Sequence, residues 1–149
     1  MSGMSLIVKS ITRLLTGFIT VFGIYIVCGG HISPGGGFSG GVILACAFIL
    51  LTLAFGKDFS LQIISRKKAS VWDSFGAIMF LLIAVFGIAY GGYFFQNFLS
   101  KGTPFRLWSG GTILLSNIGI GIKVGACLFG IFIALAIFRR GEVKKEEEI

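Results

Sequence analysis

The chain has 149 residues, 55% hydrophobic and only 13% charged, with a formal net charge of +7. A soluble domain carries about 25% charged residues. Here the sequence from Arg13 to Lys57 has no charge between its ends, and none falls from Ser74 to Ser100. Apolar stretches of roughly 18 residues or more read as membrane spans and exclude an ordinary soluble domain. The basic residues stand at the ends of these runs and not on a solvated face, which excludes a nucleic-acid-binding surface and fits membrane flanks.

Taken in chain order, the pattern predicts an all-α integral membrane protein with four transmembrane helices in a single domain. The first span covers about residues 5–28. With Lys9 and Arg13 ahead of apolar sequence it imitates a signal peptide, but "IYIVCGG" offers no small-x-small cleavage site, so the segment is expected to stay as a span. A glycine-rich loop, "HISPGGGFSGG", leads to the second span at about 39–55. The connection "GKDFSLQIISRKKASV" mixes charges with Phe59, Leu61, Ile63 and Ile64, as expected of a segment lying at the interface. The third span is placed at 73–98, with Asp73 or Ser74 as its N-cap. Pro104, Phe105 and Trp108 mark an outer connection with interfacial aromatic anchors. The fourth span covers 112–138, and residues 139–149 form a charged cytoplasmic tail, expected to be mobile. Continuously apolar runs favour helices over alternating barrel strands. Cys28, Cys46 and Cys127 all fall within apolar runs and form no metal-ligand or CxxC pattern; they read as small core residues.

Four spans put both termini and the second connection on one side. That side holds Lys9, Arg13, Lys57, Arg66, Lys67, Lys68, Arg139, Arg140, Lys144 and Lys145; the other holds Lys101 and Arg106. The asymmetry predicts cytoplasmic termini in the cell membrane, with the glycine loop outside.

Five glycines, Pro34 and the only histidine, His31, share residues 31–41. Proline restricts its neighbour, and consecutive glycines disfavour helix by about 1 kcal/mol each relative to alanine, so the chain must break here. Glycine also permits close backbone approach, which suits a tight structural turn against a neighbour or a segment lining an ion path. "GFSGG" fits the G-x-S-x-G pattern of a serine nucleophile, with His31 nearby. An intramembrane serine hydrolase is therefore a remote alternative, opposed by the absence of a strand before the turn.

"GGHISPGGGFSGGVILACAFILLTLAFG" resembles the B subunit of Mrp-type multisubunit sodium/proton antiporters, whose signature G-H-x-x-P-G-G-G-F-x-G-G is met by Gly30, His31, Pro34, Gly35, Gly36, Gly37, Phe38, Gly40 and Gly41. Length and span number agree, so the resemblance covers most of the chain. It implies a sodium/proton antiporter module with other membrane subunits as partners and with sodium ions and protons as the transported species. Related subunits occur in membrane-bound hydrogenase and sulfane reductase complexes. The fourth span departs from the stand-alone subunit's acidic "FDxGVY" pattern and reads "LLSNIGIGIKVG", with Asn117 and Lys123. The departure moves the expectation from a stand-alone antiporter, the runner-up, to the same module within an energy-converting complex. No cofactor motif is present, so any redox chemistry is assigned to other subunits, and this chain is expected to be no enzyme.

Lys123 lies about eleven residues, roughly 16 Å, into the fourth span. A cation at that depth is costly and marks a functional site by default. Ser116, Gly119 and Cys127 share its helix face. No aspartate or glutamate lies inside any of these spans, so Lys123 is expected to meet an acidic residue of another subunit, or water. Lys123, His31, Ser116 and Asn117 are the ion-translocation candidates; no catalytic residue or metal site is assigned. Gly87/Gly91 and Gly121/Gly125 offer small-xxx-small helix contacts. A purely structural, lipid-binding scaffold is the further alternative, and it should tolerate Lys123→Met.

Overall fold

The computed structural model describes residues 4–56, 59, 65–100 and 102–147. Four long helices dominate: α1 (Leu6–Gly29), α2 (Gly37–Phe55), α3 (Arg66–Gly91) and α4 (Thr112–Glu147), with a short 3-10 turn at Leu107–Gly110 ahead of α4. Each of the four contains a stretch long and apolar enough to cross a membrane. The interfacial segment expected after α2 falls mostly on residues outside those described.

The helix ends follow from local chemistry. Ser5 caps α1 by accepting a hydrogen bond from the backbone N–H of Val8. Ser65 does the same for α3 through Lys68. α3 therefore starts at Arg66 and not at residue 73, and Asp73 lies inside the helix instead of capping it. α3 also ends earlier than expected. Gly92 adopts a left-handed conformation, and its N–H closes onto the carbonyl oxygen of Ile88. Residues 92–98, expected to continue the span, instead turn back along α3: Phe95 N–H donates to the Ala84 carbonyl, and Gln96 lies over Gly87 and Gly91. These two glycines thus make room for the returning chain, not for another helix. Asn97 then accepts from the N–H of Thr112 and so tethers the start of α4. Beyond its span α4 stays helical through the charged tail to Glu147.

α4 packs against both α2 and α3, while α1 lies on α2 and touches α4. The glycines at the start of α2 make this possible. Gly40 faces α1, where a Cβ would lie 2.9 Å from the Gly23 carbonyl oxygen, and Gly41 faces α4, where a Cβ would lie 2.8 Å from the Gly121 carbonyl oxygen. Small residues on two faces let α2 wedge between its neighbours at backbone distance. One buried cluster gathers Ala69, Phe129 and Ile133, with the partly buried Phe48, Ile49, Phe132 and Ile137 packed around them, and Val27, Ala45, Ala47, Ala54, Ile83, Ala84 and Leu114 are buried elsewhere in the bundle. Large side chains such as Phe18, Val21, Leu81 and Leu135 point outward, as hydrocarbon or protein neighbours require.

Candidate ion-translocation site

The glycine signature divides between loop and helix. His31, Pro34, Gly35 and Gly36 form the connection, with positive φ at Gly35 (146°) and Gly36 (131°). Gly37, Phe38, Gly40 and Gly41, expected in the loop, form the first turns of α2. The reason is packing: on one side of α2, Gly37 meets the backbone carbonyl of Asn117 and Gly41 that of Gly121. Asn117 places its carboxamide against the loop, where a Cβ on Gly30 would lie 2.7 Å from Nδ2.

His31 ties this loop to the following one. Its Nε2 stands 3.2 Å from the carbonyl oxygen of Arg106, which also accepts from the N–H and hydroxyl of Ser109. The imidazole lies against Gly110, where an added Cβ would sit 2.8 Å from Cγ. Nδ1 is buried without a partner, which fits a neutral ring donating through Nε2. Ser39 sits in the first turn of α2 and donates its hydroxyl to the Gly36 carbonyl oxygen. It makes no hydrogen bond with His31, and no strand leads into the turn among the described residues, so no nucleophile elbow is built here.

Lys123 has a partner within its own chain, contrary to the expectation of one from another subunit. Its Nζ stands 2.7 Å from Oδ1 of Asp73. The early start of α3 brings this about, because it moves Asp73 seven residues, about 10 Å, into the helix. α3 and α4 run antiparallel in close contact at Gly76, where a Cβ would lie 2.7 Å from the Gly119 carbonyl oxygen and 2.9 Å from the Cβ of Lys123. From that level the lysine reaches along the helix pair to the carboxylate. The side chains remain 47% and 34% exposed in the isolated chain, so the pair stands open on its outer flank. A groove of about 380 Å³ begins at Asp73 and runs past Ser70, Cys127 and Gly130 to Ala134.

The four predicted candidates are therefore not one cluster. Lys123 belongs to the α3–α4 pair, whereas Asn117 and His31 organise the glycine end. Ser116 donates to the Thr112 carbonyl oxygen within α4. Asp73 is the candidate residue that the sequence alone did not reveal. The available signal was Ser65 followed by "RKKASVW", a capping residue and a helix-compatible run ahead of it.

An all-α bundle with four membrane-crossing helices and a lysine–aspartate pair between two of them is a multi-pass membrane protein with a charged site in its spans. The sequence profile described as a domain related to the MnhB subunit of Na+/H+ antiporter matches residues 7–130. The chain belongs to this family. It is 37% identical over 128 residues to the uncharacterized protein MJ1307 of Methanocaldococcus jannaschii, an alignment that covers 82% of this chain and 48% of that protein. A Staphylococcus haemolyticus protein named "Putative antiporter subunit mnhB2" is 36% identical over 90 residues, 59% of this chain and 62% of the relative. Among solved structures, a chain of the membrane-bound sulfane sulfur reductase, an archaeal respiratory membrane complex, matches with a TM-score of 0.71 and 36% identity, over 85% of this chain and 56% of that one. The chain thus spans about half to three-fifths of the length of the proteins it matches.

Proposed function

We propose that this chain is a non-enzymatic membrane subunit of a sodium/proton antiporter module within a multisubunit energy-converting complex, where it contributes to ion translocation and assembly. The observation that carries this reading is the Lys123–Asp73 pair between two membrane-crossing helices. Charged side chains at such depth are costly and are kept where ions or protons pass. Membership of the MnhB-related family and the likeness to a subunit of a respiratory membrane complex support the wider setting. The departure of the fourth span from the stand-alone pattern favours a larger complex over a stand-alone antiporter. Both termini are assigned to the cytoplasm by the excess of basic residues on their side.

The test is ion-coupled transport by membrane vesicles containing the assembled complex. Lys123→Ala should abolish coupling. Lys123→Arg should also fail if Lys123 itself relays protons, because a guanidinium does not release its proton, and should be tolerated if Lys123 acts only as a fixed charge beside Asp73. Full coupling in Lys123→Ala, with the complex intact, would reduce the chain to a scaffold.

A further inference from the structure

The groove beside the charged pair has a direction. At its inner end stands Asp73, and it is lined by Ala69, Ser70, Cys127, Gly130 and Ala134 on its way toward the side of the membrane where α3 begins. One turn in the opposite direction the passage closes, because α3 and α4 touch backbone to backbone at Gly76 and Gly119. Met79 closes the next level, where a Cβ on Gly119 would lie 2.9 Å from its Cε. Along the seam between α3 and α4, water in the groove therefore meets the carboxylate from the side where α3 begins. The titratable groups facing Asp73 are Lys123 and Cys127, both on α4; α2 contributes no residue to this groove. Hard oxygen ligands are few, since among the described residues lining the groove only Ser70 adds a hydroxyl to the carboxylate. That donor set suits a proton better than a sodium ion, which needs several oxygens.

We propose that Asp73 and Lys123 form a proton-exchange site reached by a one-sided water path from the membrane face at which α3 begins. This rests on the ion-translocation reading above and adds to it the proton acceptor and the route. A hydronium ion in the groove transfers its proton to the Asp73 carboxylate: one O–H bond forms, one breaks, and a water molecule remains. The carboxyl becomes neutral, and the Lys123 ammonium loses its counter-charge. That change alters the electrostatics of the α3–α4 pair without moving any other ion.

Cys127, expected in the core, is instead exposed along the groove with a free thiol, as Cys46 is exposed elsewhere, and so serves as a native reporter. In the assembled complex, Cys28→Ala and Cys46→Ala leave it as the chain's single thiol. A separate variant with a cysteine in place of Lys68 marks the face where α3 begins. An impermeant methanethiosulfonate is applied to right-side-out and inside-out vesicles. The expected result is labelling of Cys127 from the face that labels position 68, and none from the other. Labelling from the opposite face, from both, or from neither overturns the water path. The exchange role is tested with Asp73→Asn, which should lose proton-coupled transport, while Asp73→Glu should recover it with an altered pH profile. Full coupling in Asp73→Asn overturns the exchange role. The outcomes separate from those of the wider reading: full coupling in Lys123→Ala defeats the proposed function, whereas lost coupling in Lys123→Ala with an unlabelled Cys127 defeats only the path.

Discussion

Asp73 and Lys123 are 50 residues apart in the chain and 2.7 Å apart in space. Each neutralises a charge that would otherwise stand alone between two membrane-crossing helices. Removing one partner leaves the other as an uncompensated charge, whereas removing both leaves neither. Asp73→Asn and Lys123→Met should therefore each lower the yield of intact complex, and the double substitution should restore much of it. Native electrophoresis of solubilised membranes reads the yield. A double variant that assembles no better than the worse single one would show that the pair is not coupled.

Gly41 should tolerate no side chain. A Cβ there would lie 2.8 Å from the Gly121 carbonyl oxygen and 2.9 Å from the Cβ of Val124. Gly41→Val should destabilise the bundle by about 1–3 kcal/mol, as overpacking does. Gly17, where a Cβ meets nothing within 4 Å, provides the control: Gly17→Ala should be neutral or should stabilise α1 by up to about 1 kcal/mol. Thermal unfolding in detergent separates the two.

At Gly36 the obstacle is the backbone, not space. Its φ is 131°, yet the nearest atom to an added Cβ is Asn117 Oδ1 at 3.6 Å. Gly36→Ala should cost about 1–3 kcal/mol through strain alone. Gly36→Val should cost more and impair assembly. Shortening Asn117 to Ala should not rescue either variant; a rescue would mean that crowding, not strain, is responsible.

His31 joins two loops through one hydrogen bond to the Arg106 carbonyl oxygen. His31→Phe keeps an aromatic ring but loses the donor, and should cost about 1 kcal/mol. The visible effect should be faster tryptic cleavage after Arg106, with ion transport preserved. Lost transport in an intact complex would instead assign His31 a relay role.

The charge asymmetry predicts that a cysteine at Lys145 is labelled by an impermeant thiol reagent only from the cytoplasmic face, and one at Ser33 only from outside. Labelling of position 145 in intact cells would reverse the orientation.

Composition alone determined that this chain crosses a membrane, because long uncharged apolar runs have no other stable setting. Those runs also determined the number of helices long and apolar enough to cross a membrane among the described residues. The glycine signature was legible as a break between α1 and α2 and as a family resemblance. Sequence did not show that only Gly35 and Gly36 need unusual backbone, while Gly37, Gly40 and Gly41 serve helix packing. Apolar periodicity is weak when a helix meets lipid on one side and protein on the other, so it does not tell which face touches which neighbour. The same weakness hid the limits of α3. Its start was set by a serine cap and its end by a left-handed glycine, not by where the apolar run began and stopped. Lys123 stood out in the sequence as a cation in an apolar run. Its partner did not, because Asp73 lies at the edge of its run, and only the antiparallel contact at Gly76 and Gly119 sets the register that brings the two charges together.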